Sequence, residues 1–396
     1  MEGYGKSRVE GGVEKVMARA EREMPPLDTF PGLLLTLTAL SGEFPTDLLA
    51  RLPGAASYKE FAVKQLKREN LLRTYYRDGV RGLRLTFPAK KLLLSSRPHW
   101  FGPYLSGAAE TNRLKSEIIR RLRLHRMAEV LVSMLNAGVT VFPWEKPGMF
   151  QSVPPPAHTW ISHPTYFSSR EVKEIGPQRD MIRGSRSTGV LLTGGDIFVV
   201  YNTGVSEMKW EFRAELRLKN LLKTDLCHAR LSHQFMNTEQ SAIVFGADMG
   251  RMEPLMGAHG QKGHDYFVLD GDFTHFYYLT SDHYGEVVLQ LLCGPDERAA
   301  LDAVLLEDLS ESRPGLVVEN DAMDGDEPVL FGYTCDMPRI KRFDNALHIH
   351  NTKGTLYCFD FQEDALRKLC GPNVSIRVID FDAYEESVFH SAQEID

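Results

Sequence analysis

The stretch at residues 57–87, "SYKEFAVKQLKRENLLRTYYRDGVRGLRLTF", changes its pattern of apolar residues half-way along. In its first half, Phe61, Val63 and Leu66 recur at a spacing typical of a helix that is apolar on one side. Its second half consists of two β-rich runs on either side of Asp78-Gly79, a dipeptide typical of a tight hairpin turn. The stretch therefore predicts a helix followed by a β-hairpin.

Two more helices are predicted before this stretch. The first is "FPGLLLTLTAL", which begins at Phe30, and the second is the short "PTDLLARLPG", in which Pro45 suits a first turn and Gly54 suits a stop. Three short helices and a hairpin form the winged helix-turn-helix arrangement, in which the third helix enters the major groove of DNA. The alternative interpretation is a helical module with a solvated basic face.

The charge of the chain is unevenly distributed. Residues 57–126 contain seventeen basic and five acidic residues, a net charge of +12, so the rest of the chain carries -19 of the total of -7. A basic segment on an acidic protein indicates a polyanionic partner for that segment, and we predict double-stranded DNA. The acidic remainder is a candidate surface for a protein partner. The candidate DNA-binding residues are Lys59, Lys64, Lys67, Arg68, Arg77, Arg81, Arg84, Arg183 and Arg186.

The sequence predicts an α/β protein, α+β overall, in five parts. These are a weakly ordered start (1–29), a winged helix DNA-binding domain (30–100), a connecting helix (101–142), a proline-rich linker (143–156) and an α/β body divisible into two subdomains (157–396). The connecting helix has an apolar side formed by Leu114, Ile118, Leu122, Val130, Leu131 and Met134. Its arginine-rich middle either extends the basic surface or is a solvated face.

The body alternates strand and helix patterns. Residues 182–204, "IRGSRSTGVLLTGGDIFVVYNTG", predict a hairpin with Gly194-Gly195 in its turn, and the amphipathic "EMKWEFRAELRLKNLLKTDL" follows it. The segments "SAIVFG", "DYFVLDGDFTHFYYLT", "GLVVEN" and "PVLFGYT" predict strands. The last segment, "TLYCFDFQEDALRKLCGPNVSIRVIDF", predicts strand, helix and strand, for which parallel pairing is expected.

One candidate catalytic set follows the order of a metal-dependent nuclease. Asp196 and Glu207 are candidate ligands for Mg²⁺ or Mn²⁺, and Lys209 is a candidate partner of the attacking water. The competing interpretation places Asp196 in a hairpin turn and the other two at a helix start, where the three side chains do not converge. The second interpretation is favoured because the motif is short and degenerate.

Histidines supply two further candidate metal sites. His348 and His350 would face the same side of a strand, and a His-hydrophobic-His motif also occurs in rolling-circle nucleases that use a tyrosine nucleophile, for which Tyr357 and Tyr384 are candidates. The other group, in a polar glycine-rich segment that also resembles a loop, comprises His259, His264, Asp265, Asp270 and Asp272. No phosphate-binding GxxxxGK[ST] or GxGxxG motif is present in the sequence.

Composition favours a cytoplasmic protein without a membrane anchor. No signal-peptide pattern opens the sequence, and no apolar run reaches the length needed to cross a bilayer. The five cysteines stand at long spacings without a CxxC pair, so reduced and mostly buried thiols are expected.

The order of these parts resembles the replication-relaxation family of plasmids and integrative elements. The resemblance is carried by "LTLTALSGEFPTDLLARL", "SYKEFAVKQLKREN", "RLRLHRMAEVLVSML" and "TGVLLTGGDIFVVYNTG", and it covers residues 30–246. In that family a winged helix precedes a restriction-endonuclease-like α/β domain, and members are associated with initiating replication or nicking DNA for transfer. The resemblance therefore implies a relaxase-like DNA-binding protein of a mobile genetic element, with a C-terminal α/β extension.

One departure from the family pattern concerns catalysis. The family places an acid near the end of one strand and an acid-x-acid or acid-x-lysine motif within the next, whereas Val199-Val200-Tyr201-Asn202 here contains no carboxylate. The departure implies a degenerate nuclease site. The alternative function is a winged-helix transcriptional regulator or recruitment factor without catalytic activity.

Overall fold

The computed structural model of the chain describes residues 23–107, 117–151, 155–173, 182, 184–206, 210–257, 273–312 and 317–393. Most of the start that we expected to be weakly ordered, and Leu114 of the connecting helix, lie outside these ranges. The described residues form a mixed α and β protein, which confirms the predicted fold class at that level. Among them, no helix combines the length and apolarity that a membrane crossing requires.

The N-terminal part contains the first and third predicted helices and the hairpin, whereas the second predicted helix is only a 3₁₀ helix and Pro45, expected in its first turn, lies in a strand. Its elements are α1 (Phe30–Ser41), β1 (Phe44–Pro45), a 3₁₀ helix (Asp47–Arg51), α2 (Ala56–Arg68), β2 (Leu72–Arg77), β3 (Val80–Leu85), α3 (Phe87–Ser96) and α4 (Pro98–Leu105). The strands pair antiparallel in the order β1-β3-β2. Asp78 and Gly79 form the hairpin turn with φ angles of 52° and 77°, the left-handed region that Asp and Gly adopt most readily. We call β2 and β3 the N-terminal hairpin.

The connecting helix is α5 (Ile118–Asn136). In its first half, the side that is buried differs from the side predicted from its apolar residues. Val130, Leu131 and Met134 are buried as predicted. Leu122, which was expected on the same apolar side, is 39% exposed, whereas the neighbouring Arg121 is 0% exposed. Arg121 is buried in place of Leu122 because its guanidinium belongs to an interior ion cluster around Glu43.

A central five-stranded sheet follows. The elements of this part are β4 (Thr165–Ser168), α6 (Ser169–Val172), β5 (Gly189–Leu192), β6 (Ile197–Gly204), α7 (Phe212–Leu221), a π-helix (Leu222–Arg230), α8 (Ser232–Phe235), β7 (Gln240–Gly246), a 3₁₀ helix (Met249–Arg251), α9 (Met252–Gly257) and β8 (Phe276–Thr280). The strand order is β4-β5-β6-β7-β8, antiparallel up to β6 and parallel from β6 to β8. The predicted hairpin, β5 and β6, is confirmed and is called the body hairpin.

The C-terminal part holds a second five-stranded sheet. Its elements are α10 (His283–Cys293), α11 (Pro295–Leu306), β9 (Ser310–Glu311), β10 (Ala322–Asp324), β11 (Glu327–Phe331), α12 (Met337–His350), β12 (Gly354–Phe359), α13 (Asp360–Leu369), β13 (Val374–Ile379) and α14 (Phe381–Gln393). The strand order is β13-β12-β11-β10-β9. Strands β12 and β13 flank α13 and pair parallel, which confirms the predicted strand-helix-strand unit.

The strand predicted in "GLVVEN" is wrong for its described residues. Val317–Asn320 pair with no described strand, and the segment lies against α12 instead. Glu319 accepts hydrogen bonds from Arg339 at 2.8 Å and from Arg342 at 3.0 Å. Val318 is buried, so a valine and the two ion pairs of Glu319 contribute to holding this segment without a strand ladder.

The apolar core continues from the N-terminal part into the body. One buried cluster contains Leu35 of α1, Leu191 of the body hairpin and Phe359 of β12. The proline-rich residues 143–156 do not form a free linker where they are described, because Met149 and Phe150 are buried in the neighbouring cluster. The basic and acidic parts of the chain therefore share an interior.

Candidate nucleic-acid interface

Helix α2 buries only part of its predicted apolar side, because Phe61 is 57% exposed. Ala62 and Leu66 are buried against the N-terminal part at 1% exposure each. On the outer face, Lys64, Lys67 and Arg68 are exposed. The sequence-based helix is thus confirmed, and three of its four predicted cationic residues point to solvent.

The N-terminal hairpin continues this exposed basic surface. Arg77 and Arg81 are exposed on β2 and β3. Burial and the charge of Arg81 both lower the pKa of Lys67, so the two side chains are close enough to repel each other. Lys64, Lys67 and Arg68 of α2 and Arg81 of the hairpin therefore form one surface, which we call the basic face. Arg77 lies on the other face of the hairpin, because its cross-strand partner is Val80 whereas that of Arg81 is Tyr76, and its guanidinium pairs with Asp78 at 3.3 Å.

Two of the predicted DNA-binding residues serve the interior instead. Lys59 is buried, and its Nζ donates to the carbonyl oxygens of Ala50 at 3.1 Å and Leu52 at 2.8 Å. Arg84 is 4% exposed and donates through Nε to Glu43 at 2.8 Å. Both cationic groups donate to acceptors within the protein, so neither residue belongs to the basic face.

Glu43 lies at the centre of a buried ion cluster behind the basic face. Its carboxylate accepts from Arg84, from Arg121 Nη2 at 2.5 Å and from His125 Nε2 at 3.0 Å. Burial alone would raise the pKa of Glu43, but the hydrogen bonds from His125, Arg121 and Arg84 outweigh it and lower the pKa to about 2. The carboxylate therefore remains ionised in the folded protein at neutral pH.

Arg121 connects this cluster to the N-terminal hairpin. Its guanidinium donates to the backbone carbonyl oxygens of Arg77 at 2.9 Å, Val80 at 3.0 Å and Tyr75 at 3.2 Å. The Tyr75 ring also lies 4.6 Å from the guanidinium carbon. These contacts fix the hairpin to α5, and they explain why an arginine occupies an interior position on that helix.

The described structure places only one of the three candidate nuclease residues. Asp196 is exposed at the turn of the body hairpin, where its amide donates to Thr193 Oγ1 at 2.9 Å. Strand β6 separates Asp196 from Ser206, a span of about 27 Å for eight residues. Glu207 and Lys209 lie outside the described residues. Within the described ranges no group of three His, Cys, Asp or Glu side chains could hold a metal ion.

Glu215 is a buried acid that was not among the candidate site residues predicted from the sequence. Glu215 on α7 is 1% exposed and accepts from Ser185 Oγ at 2.9 Å, the Arg186 amide at 2.5 Å and Tyr201 OH at 3.0 Å. Burial raises its pKa, although these three hydrogen bonds oppose the shift. The Arg186 side chain contacts Glu211 at 3.2 Å, apart from the basic face, and Arg183 lies outside the described residues.

The strand expected at His348 and His350 is a helix. Both residues lie in the last turn of α12, where positions two apart point about 200° away from each other. The two imidazoles therefore do not face one metal ion, and that prediction is wrong. Tyr357 lies on β12 and Tyr384 on α14. The other candidate group, from His259 to Asp272, falls outside the described residues.

A histidine that no motif indicated joins the two large sheets. His275, which precedes β8, lies 2.6 Å through Nδ1 from Asp336 Oδ2, and Asp336 also accepts from the Phe276 amide at 3.2 Å. The hydrogen bond to Asp336 raises the pKa of His275 against the opposing effect of burial. The pair spans 61 residues of sequence, so only the folded chain reveals it.

The five cysteines are free thiols, four of them buried, as predicted.

Comparison of the chain with family models, with curated proteins and with solved structures found no match.

Proposed function

We propose that this chain is a DNA-binding protein of a plasmid or integrative element that acts in replication initiation or transfer. The observation that carries the proposal is the basic face. Lys64, Lys67 and Arg68 point outward from α2, and Arg81 of the N-terminal hairpin stands beside Lys67. Exposed lysines and arginines on a helix and an adjacent hairpin can neutralise phosphates of one duplex.

The arrangement of elements supports a winged helix as the DNA-binding domain. Helix α1, the short 3₁₀ helix and α2 precede the hairpin, and β1 completes a three-stranded sheet with it. In a winged helix the third helix reads the major groove and the hairpin flanks it. In this assignment α2 is the recognition helix, and the N-terminal hairpin is the wing.

For the body we propose a restriction-endonuclease-like domain without a working nuclease site. The support is a mixed sheet in which β6 pairs antiparallel with β5 and parallel with β7, with α7 between β6 and β7 in the chain. No residue of β6 carries a carboxylate, and Glu215, which contacts Tyr201 of that strand, is buried and bonded to protein donors. Such a body would serve recognition or recruitment.

The test is a measurement of duplex DNA binding by the triple variant Lys64→Gln, Lys67→Gln and Arg68→Gln. We expect weaker binding and a smaller salt dependence, by about 0.9 in the slope of log K against log salt for each phosphate that is no longer neutralised. A matched control removes three exposed charges from the C-terminal part: Lys353→Gln, Arg367→Gln and Lys368→Gln. Equal affinity in the two triple variants would remove the basis for the proposal.

Specificity distinguishes the two functions that share this surface. A transcriptional regulator binds an operator and recruits a partner, whereas a replication or transfer protein binds an origin. Competition between the element's own origin fragment and its promoter fragments separates these two functions, because a specific site is bound about 10³-fold or more tighter than other DNA. We expect the origin fragment to compete better.

A further inference from the structure

Two aromatic side chains are exposed in the first half of α2. Tyr58 is 47% exposed, and Phe61, which follows it after nearly one turn, is 57% exposed. The Tyr58 ring makes an edge-to-face contact with the ring of Phe30 at a centroid distance of 6.1 Å, which attaches it to α1. We call Tyr58 and Phe61 the aromatic pair. They present apolar surface to solvent on a helix whose other exposed side chains are mostly polar or charged.

The aromatic pair shares the exposed face of α2 with two of its cations. At about 3.6 residues per turn, Arg68 lies about 20° and Lys64 about 60° from Phe61 around the helix axis. The buried Ala62 and Leu66 lie about 100° and about 140° away in the other direction. Along the axis, Lys64 follows Phe61 by about 4.5 Å and Arg68 follows it by about 10 Å. A ligand that contacts these two cations is therefore placed beside Phe61.

The packing of α2 does not account for a phenylalanine at position 61. Val63 and Leu66, which the sequence places on the same apolar side, are buried without it. With more than half of its surface exposed, Phe61 leaves much of the free energy of apolar burial unused. Single exposed apolar residues are common on protein surfaces, but an aromatic pair beside cations can bury its rings against a charged partner that offers an apolar group.

We propose that Phe61 contacts thymine methyl groups in the major groove and gives the chain a preference for A·T base pairs. This inference rests on the proposed function, in which α2 is the recognition helix of a winged helix. In helix-turn-helix proteins the N-terminal residues of the recognition helix reach the base edges. Phe61 lies in the second turn of α2, and Lys64 and Arg68 lie further towards its C-terminal end. The apolar part of the helix is thus the part that reads bases, and the cationic part contacts the phosphate backbone.

The major groove of an A·T base pair matches the chemistry of this face. Thymine exposes a C5-methyl group there, and phenylalanine is among the side chains that contact it. Lys64 pairs with Glu60 at 3.6 Å, but both side chains are largely exposed, so the pair is weak and the apolar contact does not depend on it. Exposed aromatic rings also stack on unpaired bases, but a helix in the groove meets the edges of bases rather than their faces. A duplex that contains thymine is therefore the expected ligand.

The experiment measures the binding of the full chain to two duplexes by fluorescence anisotropy. One duplex has alternating adenine and thymine, and in the other every thymine is replaced by deoxyuridine, which lacks only the C5-methyl group. We expect the wild type to bind the thymine duplex about fourfold tighter for each methyl group that Phe61 covers, since burial of one methyl group contributes about that factor. Phe61→Ala should bind the two duplexes equally. Equal binding of the two duplexes by the wild type, or a thymine preference that Phe61→Ala retains, would overturn the inference.

Two further variants control for folding and for the loss of apolar surface. Phe212→Ala removes a phenylalanine that is 54% exposed at the start of α7, and it should keep the thymine preference. Phe61→Leu retains an apolar side chain, so it should keep part of the preference together with the wild-type circular dichroism. A folded Phe61→Leu variant without any preference would contradict an apolar contact. Tighter binding of the wild type to single-stranded DNA than to the thymine duplex would assign the ring to unpaired bases and also overturn the inference.

The triple variant of the basic face separates this inference from the proposed function. If the triple variant loses affinity and the wild type shows no thymine preference, the role of Phe61 is wrong and the proposed function stands. If the triple variant binds like the wild type but Phe61→Ala loses the preference, the contact of Phe61 is supported and the role of the cations is contradicted. If the wild type binds neither duplex, both proposals fail.

Discussion

Glu43 shows why a single residue can escape sequence reasoning. It stands between α1 and β1 in "SGEF", where it has the appearance of an ordinary loop acid. Its cationic partners, Arg84 and Arg121, lie 41 and 78 residues further along the chain. Nothing in a local pattern joins these positions, and for the same reason Arg84 was assigned to DNA rather than to the interior.

The ionisation of Glu43 predicts how the stability of the protein depends on pH. The folded-state pKa of about 2 lies below the ordinary value of 4.5, so the unfolded chain binds more protons between these values. The contribution of Glu43 to stability is therefore complete above about pH 4.5 and is lost as the pH falls towards 2. Melting temperatures measured across this range should fall more steeply in the wild type than in Glu43→Gln.

Glu43→Gln should also be less stable than the wild type at pH 7, by roughly 3 kcal/mol, because two buried guanidinium groups lose their counter-ion. Glu363→Gln is a suitable comparison, since Glu363 forms an exposed pair with Arg367 on α13 and should change stability by less than about 1 kcal/mol. A Glu43→Gln variant as stable as the wild type at pH 7 would contradict the structural role of the cluster.

At the scale of elements, the sequence predicted most where a segment carries its own signals. The N-terminal hairpin follows from Asp78-Gly79 and two β-rich runs, and the body hairpin follows from the same kind of pattern. The sequence failed where tertiary contacts decide the structure. Arg121 occupies an interior position of α5, and His348 lies in the last turn of a helix rather than pairing in a strand. The spacing of apolar residues predicts which side of an element is buried. It does not predict which polar side chains find hydrogen-bond partners in the interior.

The geometry of the body hairpin predicts the absence of metal-dependent nicking by the candidate trio. Asp196 is exposed in the turn, and β6 extends away from it to Ser206. Two ligands of one metal ion must each lie within about 2.0 to 2.6 Å of it. We therefore expect wild type and Asp196→Ala to leave a supercoiled plasmid equally intact in the presence of Mg²⁺ or Mn²⁺. Nicking by the wild type that Asp196→Ala abolishes, with folding and DNA binding retained, would show that the nuclease interpretation is correct.

At the scale of the whole molecule, the division expected at the proline-rich residues is bridged by packing and by charge. The interior continues from α1 through the central sheet to β12. In addition, Arg51 of the N-terminal part forms an ion pair with Glu286 of α10 and donates to the carbonyl oxygen of Ser281 at 2.8 Å. Asn136, at the end of α5, donates to the same Glu286 at 2.8 Å. Composition revealed two parts of opposite charge, but it could not reveal that they share a core.

This shared interior predicts that the chain unfolds as one cooperative unit. Glu286→Ala removes the partner of Arg51 and of Asn136, and breaking such a largely buried pair costs roughly 3 kcal/mol. We expect far-ultraviolet circular dichroism and tryptophan fluorescence to show a single coincident transition in the wild type, and Glu286→Ala to shift both to the same lower temperature. Trp100 of α4 is a fluorescent probe of the N-terminal part, and Trp210 is a fluorescent probe of the body. Single-tryptophan versions that keep one or the other should therefore report the same midpoint. Two separate midpoints, of which the variant moves only one, would instead establish the N-terminal part and the body as independent domains.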